Sequence, residues 1–311
     1  RDQPRSRGLG DVYKRQENRR LIARGRGIAS MGLTEYDQAV QYFTEALELS
    51  DGWVQNVDYD MNYYLAGAYR KNGQPAEAKK VYDAILGLKP EEKDAYFLRG
   101  SAELELGDYE SAKADFDKAI SMDPKNYDRL IEIYEALADY GYREVGQEYL
   151  QNVLNTDKKL DAYDSGRIYY YLGDYQKAYL ALEEAKGKGG VDSYLYLGKA
   201  YAATGDYNYA SSVYSNYLSK QGPDAEIYNQ LGLCELAKKD YQKALEAFQA
   251  GKQIEGNSLM QTLSFNEIVA YEYLQDYQKA AVLLKAYLQN YPDDPVSYTH
   301  LRAHETEADL V

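Results

Sequence analysis

Residues 94–124 read DAYFLRGSAELELGDYESAKADFDKAISMDP and carry a pattern that returns along the chain. A glycine–aspartate pair at 107–108 divides the stretch into two halves, and Pro124 follows the second half. Glycine just after the last helical turn and proline shortly beyond it are stop signals of α-helices. The stretch therefore predicts a helix, a tight turn and a second helix.

The phrase LGDYESA inside this stretch has close copies elsewhere, such as LGDYQKA at 172–178 and LQDYQKA at 274–280. Alignment on the last residue of the phrase gives a column of small residues: Ala39, Ala78, Ala112, Gly146, Ala178, Ala210, Ala244 and Ala280. A large apolar residue follows each of them by four positions: Phe43, Tyr82, Phe116, Leu150, Leu182, Tyr214, Phe248 and Leu284. Positions i and i+4 share a helix face, so each second helix presents a small residue beside a large one.

A second column of small residues precedes the first by twelve positions in six of the eight copies: Gly27, Ala66, Gly100, Gly166, Gly198 and Gly232. Small residues on both helices predict that the two helices of a pair approach closely. Two copies depart from the column, with Tyr134 and Ile268 at its position, and Gly146 adds a helix-weakening glycine to the fourth copy. We expect bent or loosely packed joints there.

This helix–turn–helix pattern resembles the tetratricopeptide repeat. The resemblance covers residues 17–295 and implies an all-α fold, an α-solenoid wound as a right-handed superhelix of about eight repeats. The predicted repeats span 20–51, 59–91, 93–125, 127–157, 159–189, 191–222, 225–257 and 261–293. In this family the first helices line a concave groove, which is the usual binding surface.

Both ends of the chain are interpreted as translated sequencing-library adaptor and excluded from the repeat fold. One coding of SRGLGDVYKRQ at 6–16 has a reverse complement that, in a shifted frame, encodes VSYTHLRAHE at 296–305. We therefore predict adaptor-derived tails at 1–16 and 296–311 that pack poorly. The remaining stretch is expected to be an internal fragment, which a signal peptide or a lipid anchor could precede. Its compartment stays open between the cytoplasm and attachment to the cell envelope.

Charge and composition disfavour several classes of function. The two ends hold six of the 36 basic and five of the 50 acidic residues, so 17–295 carries a formal charge of about −15. That balance disfavours direct binding of nucleic acid or anionic lipid. Both histidines lie in the predicted tail and Cys234 is the single cysteine, so no catalytic or metal-binding set is predicted and no cofactor. No apolar run is long enough to span a bilayer.

The groove positions that the resemblance implies lie one turn into each first helix. Arg24 holds this position in the first repeat. The predicted partner-binding residues are Tyr63, Phe97, Ile131, Tyr163, Leu195, Asn229 and Phe265, with Arg167 and Lys199 one turn further. They suggest an apolar, aromatic floor with a basic centre around Tyr163, Arg167 and Lys199. The alternative is that these residues only pack against neighbouring repeats. The family's clamp for a terminal carboxylate, built from asparagines and lysines, is absent because Asn229 alone matches it.

Several other motifs have simpler interpretations. Asp60, Asp94, Asp128 and Asp192 recur near first-helix starts and are predicted to be N-caps, since aspartate accepts hydrogen bonds from free amides there. KGKGG at 186–190 follows no strand, so we interpret it as a connector and not as a phosphate loop. DYD at 58–60 lacks the spacing of a calcium loop. The abundant tyrosines are expected at half-buried joints.

The sequence therefore predicts a non-catalytic scaffold that binds a segment of another protein or a peptide in its groove. An extended segment with an acidic and an apolar residue would complement the predicted basic centre. The alternative is a peptide-sensing transcriptional regulator whose DNA-binding domain precedes this fragment.

Overall fold

The computed structural model describes residues 4–50, 56–185, 187–292 and 294, with side chains from residue 14 onward. This part of the chain contains sixteen α-helices and no strand, and the predicted all-α repeat fold is confirmed. The helices are α1 (Pro4–Gly32), α2 (Tyr36–Glu48), α3 (Asn56–Lys71), α4 (Pro75–Leu88), α5 (Lys93–Glu105), α6 (Tyr109–Met122), α7 (Tyr127–Asp139), α8 (Arg143–Thr156), α9 (Ala162–Tyr171), α10 (Tyr175–Ala185), α11 (Val191–Ala203), α12 (Tyr207–Gln221), α13 (Ala225–Ala237), α14 (Tyr241–Lys252), α15 (Met260–Tyr273) and α16 (Tyr277–Asn290).

The chain divides into two compact units, an N-terminal unit of residues 1–150 and a C-terminal unit of residues 151–311. In each unit, consecutive helices pack against one another around buried alanines, leucines and aromatic rings. α1 begins at Pro4, inside the stretch that we interpret as adaptor-derived. The prediction of poor packing for the side chains of 1–13 and for 296–311 lies outside the described residues.

The repeated aspartate–tyrosine pair starts the second helix of a repeat. Tyr109 is the first residue of α6, and Asp108 before it accepts a hydrogen bond from the amide of Ser111. This contact satisfies one of the free amides at a helix start. Gly107, with φ of +78°, makes the preceding turn in a backbone conformation that favours glycine. The phrase therefore encodes both the turn and the next helix start.

The prediction that Asp60, Asp94, Asp128 and Asp192 cap the first helices is wrong. Asp60 lies within α3, and the other three are second residues of α5, α7 and α11, behind the caps Glu92, Asn126 and Gly190. Asp60 and Asp94 bind arginines of neighbouring repeats instead, Arg24 and Arg129. These carboxylates connect repeats to each other.

The two columns of small residues form close helix contacts. A Cβ atom on Gly232 of α13 would lie 2.3 Å from Cε1 of Phe248 on α14, whose ring is fully buried. Gly232 therefore leaves the space that the phenylalanine ring fills. This packing is the small-beside-large arrangement that the sequence indicates.

In the fourth repeat the large residue lies on the first helix and the small residue on the second. Tyr134 on α7 is buried, and a Cβ atom on Gly146 of α8 would lie 2.9 Å from its Cδ2 atom. Ile268 of the eighth repeat is also buried, against Ala280 and Leu284. These two contacts are closely packed and not loose, because the large residue on one helix meets a small one on the other. Bending at these joints stays a prediction.

Candidate binding site

Gly67 opens a cavity on α3 of the N-terminal unit. It lies one turn after Tyr63, at the position that Arg167 and Lys199 hold in the fifth and sixth repeats. No heavy atom lies within 4 Å of a Cβ atom built on Gly67, apart from its own helix backbone and chain neighbours. The missing side chain therefore leaves open space at this position.

The resulting cavity, which we call the Gly67 cavity, has a volume of about 730 Å³. That volume falls within the roughly 300–1,000 Å³ of sites that hold ligands. Its apolar and aromatic walls come from several helices of the N-terminal unit: Met31, Tyr63, Pro75, Tyr82, Leu98 and Tyr140. The cavity therefore has the size and the lining that a few residues of a peptide need.

Two tyrosines that line the cavity have hydroxyls in different surroundings. The Tyr63 hydroxyl is buried and has no hydrogen-bond partner, and burial, with Glu92 and Asp94 nearby, raises its pKa far above the usual value. Burial also raises the pKa of Tyr82 to about 12, although Arg70 opposes the change. Both hydroxyls therefore keep their protons at neutral pH. The Tyr63 hydroxyl has an unused donor, which is costly to leave buried.

Charged groups line the end of the cavity at the last turn of α3. Nε of Arg70 donates to Oε1 of Glu105 at 2.8 Å, and this contact raises the pKa of Arg70 although burial lowers it. Lys71 is exposed and makes no ion pair within the described part of the chain. Arg70 and Glu105 neutralise each other, so Lys71 leaves one net positive charge at the cavity.

The other predicted site residues of the N-terminal unit do not line this cavity. Phe97 is half-buried, with the guanidinium carbon of Arg129 4.0 Å from its ring centroid. Ile131 is only 5% exposed, so little of it is left for a partner to contact. Arg24, half-buried, binds Asp60. Among the predicted residues of this unit, Tyr63 alone belongs to the cavity.

The predicted basic centre in the C-terminal unit differs from the expectation. Arg167 is only 7% exposed, stacks 4.4 Å from the Tyr163 ring centroid and donates to Asp164 at 2.6 Å. Lys199 lies 3.6 Å from Glu226. Both cations are therefore already engaged by carboxylates, so they do not form a free basic patch. Burial of Arg167 also removes most of its surface from reach.

The Tyr163 ring is covered on its loop side as well. A Cβ atom on Gly189 would lie 2.7 Å from Cζ of Tyr163. Gly187, Gly189 and Gly190 all have positive φ, and Gly190 is the N-cap of α11. The described part of the KGKGG segment therefore connects α10 to α11 and packs its glycine backbone onto the tyrosine.

The remaining predicted residues of the C-terminal unit take part in packing. Asn229 is 5% exposed and accepts a hydrogen bond at 2.8 Å from Nδ2 of Asn266 in the next first helix. Leu195 is half-buried and packs against the core around Tyr214. The ring centroid of Phe265 lies 5.8 Å from that of Tyr287. These contacts favour the packing interpretation of the three positions, while their role in binding stays a prediction.

Sequence comparison places the chain in a known group. A family model described as tetratricopeptide repeat matches residues 24–78, 63–127 and 195–258, and a second model with the same description matches 265–294. The chain belongs to the tetratricopeptide repeat family. Proteins of this family generally mediate protein–protein interactions, bind proteins or peptides and are generally non-catalytic.

Individual relatives support the fold and cover parts of the chain. A tetratricopeptide repeat protein from Parabacteroides merdae matches with a TM-score of 0.50 at 14% identity, over 81% of this chain and 99% of that one. The Hsp70-Hsp90 organizing protein of Triticum aestivum is 30% identical over 33% of this chain and 17% of its own length. Tetratricopeptide repeat protein 21B of Xenopus laevis is 27% identical over 73% of this chain and 15% of its own length. The chain thus spans less than a fifth of these two curated relatives.

The described residues also bear on membrane-spanning and metal-binding elements. Within the described residues, no helix has the length and apolar character needed to cross a membrane. The same part of the chain contains no group of three or more His, Cys, Asp or Glu residues arranged to hold a metal ion. The carboxylates of the DYD segment bind arginines, Asp58 with Arg20 and Asp60 with Arg24.

Proposed function

We propose that this tetratricopeptide repeat protein is a non-catalytic scaffold that holds a segment of a partner protein in the Gly67 cavity. The observation that carries the proposal is the open space beside Gly67, walled by aromatic and apolar side chains. Aromatic walls supply contact area to an inserted side chain.

Several features support this cavity over the groove positions of the C-terminal unit. Arg167 and Asn229 are buried, and Tyr163 is covered by Arg167 and Gly189. Tyr140, in contrast, is 47% exposed beside the cavity and offers an aromatic ring to a partner. The peptide-sensing regulator remains a prediction, and no feature of the described residues favours it.

Gly67→Trp is the variant that tests the proposed function. Because a Cβ atom at this position meets open space, we expect the indole to fit into the cavity without displacing the core. It would then occupy the space that we assign to a side chain of the partner. Random short peptides displayed on phage are selected on the full chain, and the enriched peptides are synthesised. We expect their affinity for Gly67→Trp to fall by a factor of ten or more, since about 1.4 kcal/mol corresponds to tenfold and a lost anchor costs at least that much.

Gly87→Trp is the matched control. Gly87 is a helical glycine of α4 in the same unit, also has open space around its Cβ position, and does not line the cavity. It should bind the enriched peptides as the original chain does. Equal affinity of all three proteins for every enriched peptide would refute binding in the Gly67 cavity.

A further inference from the structure

We propose that the Gly67 cavity selects a segment in which a bulky apolar side chain is flanked by a carboxylate, and that Lys71 binds this carboxylate. This inference rests on the proposed function, because it names the chemistry of the segment that the cavity binds.

The apolar half of the segment follows from the cavity walls. Met31, Leu98 and the ring of Tyr140 surround the space that Gly67 leaves open. An aromatic or long aliphatic side chain inserted there would replace water against these surfaces, at about 25 cal/mol per Å² of apolar area buried. A small or charged side chain would leave the space unfilled or lose its hydration.

The charged half follows from the ion pairs at the cavity. Arg70 is committed to Glu105, since both side chains are mostly covered and in contact. Lys71 carries the remaining charge, is exposed, and has no carboxylate bound within the described residues. A carboxylate on the partner can therefore bind Lys71 without breaking an existing pair. A basic residue at the same place would be repelled by Lys71, because the charge of Arg70 is neutralised by Glu105.

The negative overall charge of the protein restricts the preference for a carboxylate to the surroundings of Lys71. The chain carries a formal charge of −14, so an acidic partner is disfavoured at most of its surface. Lys71 lies in the last turn of α3, where the helix dipole also adds negative potential that a cation offsets. Only a carboxylate close to the Lys71 ammonium group is stabilised by its charge, because dissolved salt screens charge interactions beyond about 10 Å.

The charge-exchange experiment uses the full chain and Lys71→Glu. Phage-displayed random peptides are selected on each protein in parallel, and the best peptide of each set is synthesised with its charged residue as glutamate and as lysine. On the original chain we expect the glutamate form to bind about fivefold more tightly than the lysine form, the size of an exposed ion pair of about 1 kcal/mol. On Lys71→Glu the order should reverse.

Lys118→Glu is the control for general charge effects. Lys118 is exposed on α6, has no ion pair within the described residues and does not line the cavity. It should keep the glutamate preference. The inference fails if Lys71→Glu keeps the glutamate preference or if Lys118→Glu reverses it as well. Peptides that require an open Gly67 position yet show no charge preference would overturn this inference and leave the proposed function standing, whereas indifference to Gly67→Trp would overturn both.

Discussion

Asp58→Ala is expected to lower the free energy of unfolding by about 3–5 kcal/mol, the cost of leaving a buried charge without its partner. Arg20 on α1 has a side chain only 2% exposed and binds Asp58 on α3. Its other carboxylate contact, with Glu17, is longer at 3.5 Å, and the Glu17 side chain is 49% exposed. Removal of Asp58 would leave the guanidinium inside the protein with weak compensation.

The control for this prediction is a second ion pair between the same two helices. Arg24 and Asp60 also join α1 to α3, but their side chains are 30% and 42% exposed. Water replaces a lost partner at such a site, so Asp60→Ala should cost no more than about 1 kcal/mol. Urea unfolding followed by circular dichroism measures both variants. Equal losses would mean that Arg20 reaches water or Glu17 when Asp58 is absent.

The ion pairs between aspartates and arginines also show what the sequence could and could not indicate about the joints between repeats. The recurring aspartates lie near predicted helix starts, a position that favours capping. Asp108 and its equivalents in the repeated phrase perform that role, while Asp60 and Asp94 bind arginines from repeats that lie 35 or 36 positions away in the chain. Capping depends on local spacing, whereas pairing across repeats depends on how the helices stack.

The helices themselves could be predicted almost entirely from local signals. The tyrosine of the repeated phrase begins α2, α6, α10, α12, α14 and α16. Turn glycines such as Gly107 and Gly205 have positive φ, as their place after a helix requires. Periodicity, caps and turns act over a few residues, and eight copies of one pattern reinforce each other.

The candidate site was harder to predict because a cavity depends on missing atoms. The sequence pattern predicts large and charged side chains as binding residues, such as Arg167, which the structure buries against Tyr163 and Asp164. The residue that could have indicated the cavity is Gly67, a glycine inside a helix. Its neighbour Ala66 already supplies the small residue at which the two helices of the repeat pack, so Gly67 is not needed for that contact. Such a residue lowers helix stability, so it requires a reason other than helix formation.

That difference between glycines leads to the last prediction, in which one substitution has opposite effects at two helical positions. Gly232→Ala is expected to reduce the free energy of unfolding by about 1–3 kcal/mol, as overpacking does in a filled core. The added Cβ atom would meet three atoms of the Phe248 ring at 2.3–2.7 Å, and that ring has no exposed surface toward which it could turn. The helices α13 and α14 would have to separate.

Gly67→Ala, in contrast, should raise the free energy of unfolding by about 0.5–1 kcal/mol. The methyl group meets open space, and alanine has a smaller entropy cost than glycine in a helix. The two variants, measured side by side in urea, separate a glycine that makes room for a neighbouring ring from one that leaves room for a partner. A loss of stability in Gly67→Ala would mean that the position is tightly packed, and the cavity proposed as the binding site would lose its physical basis.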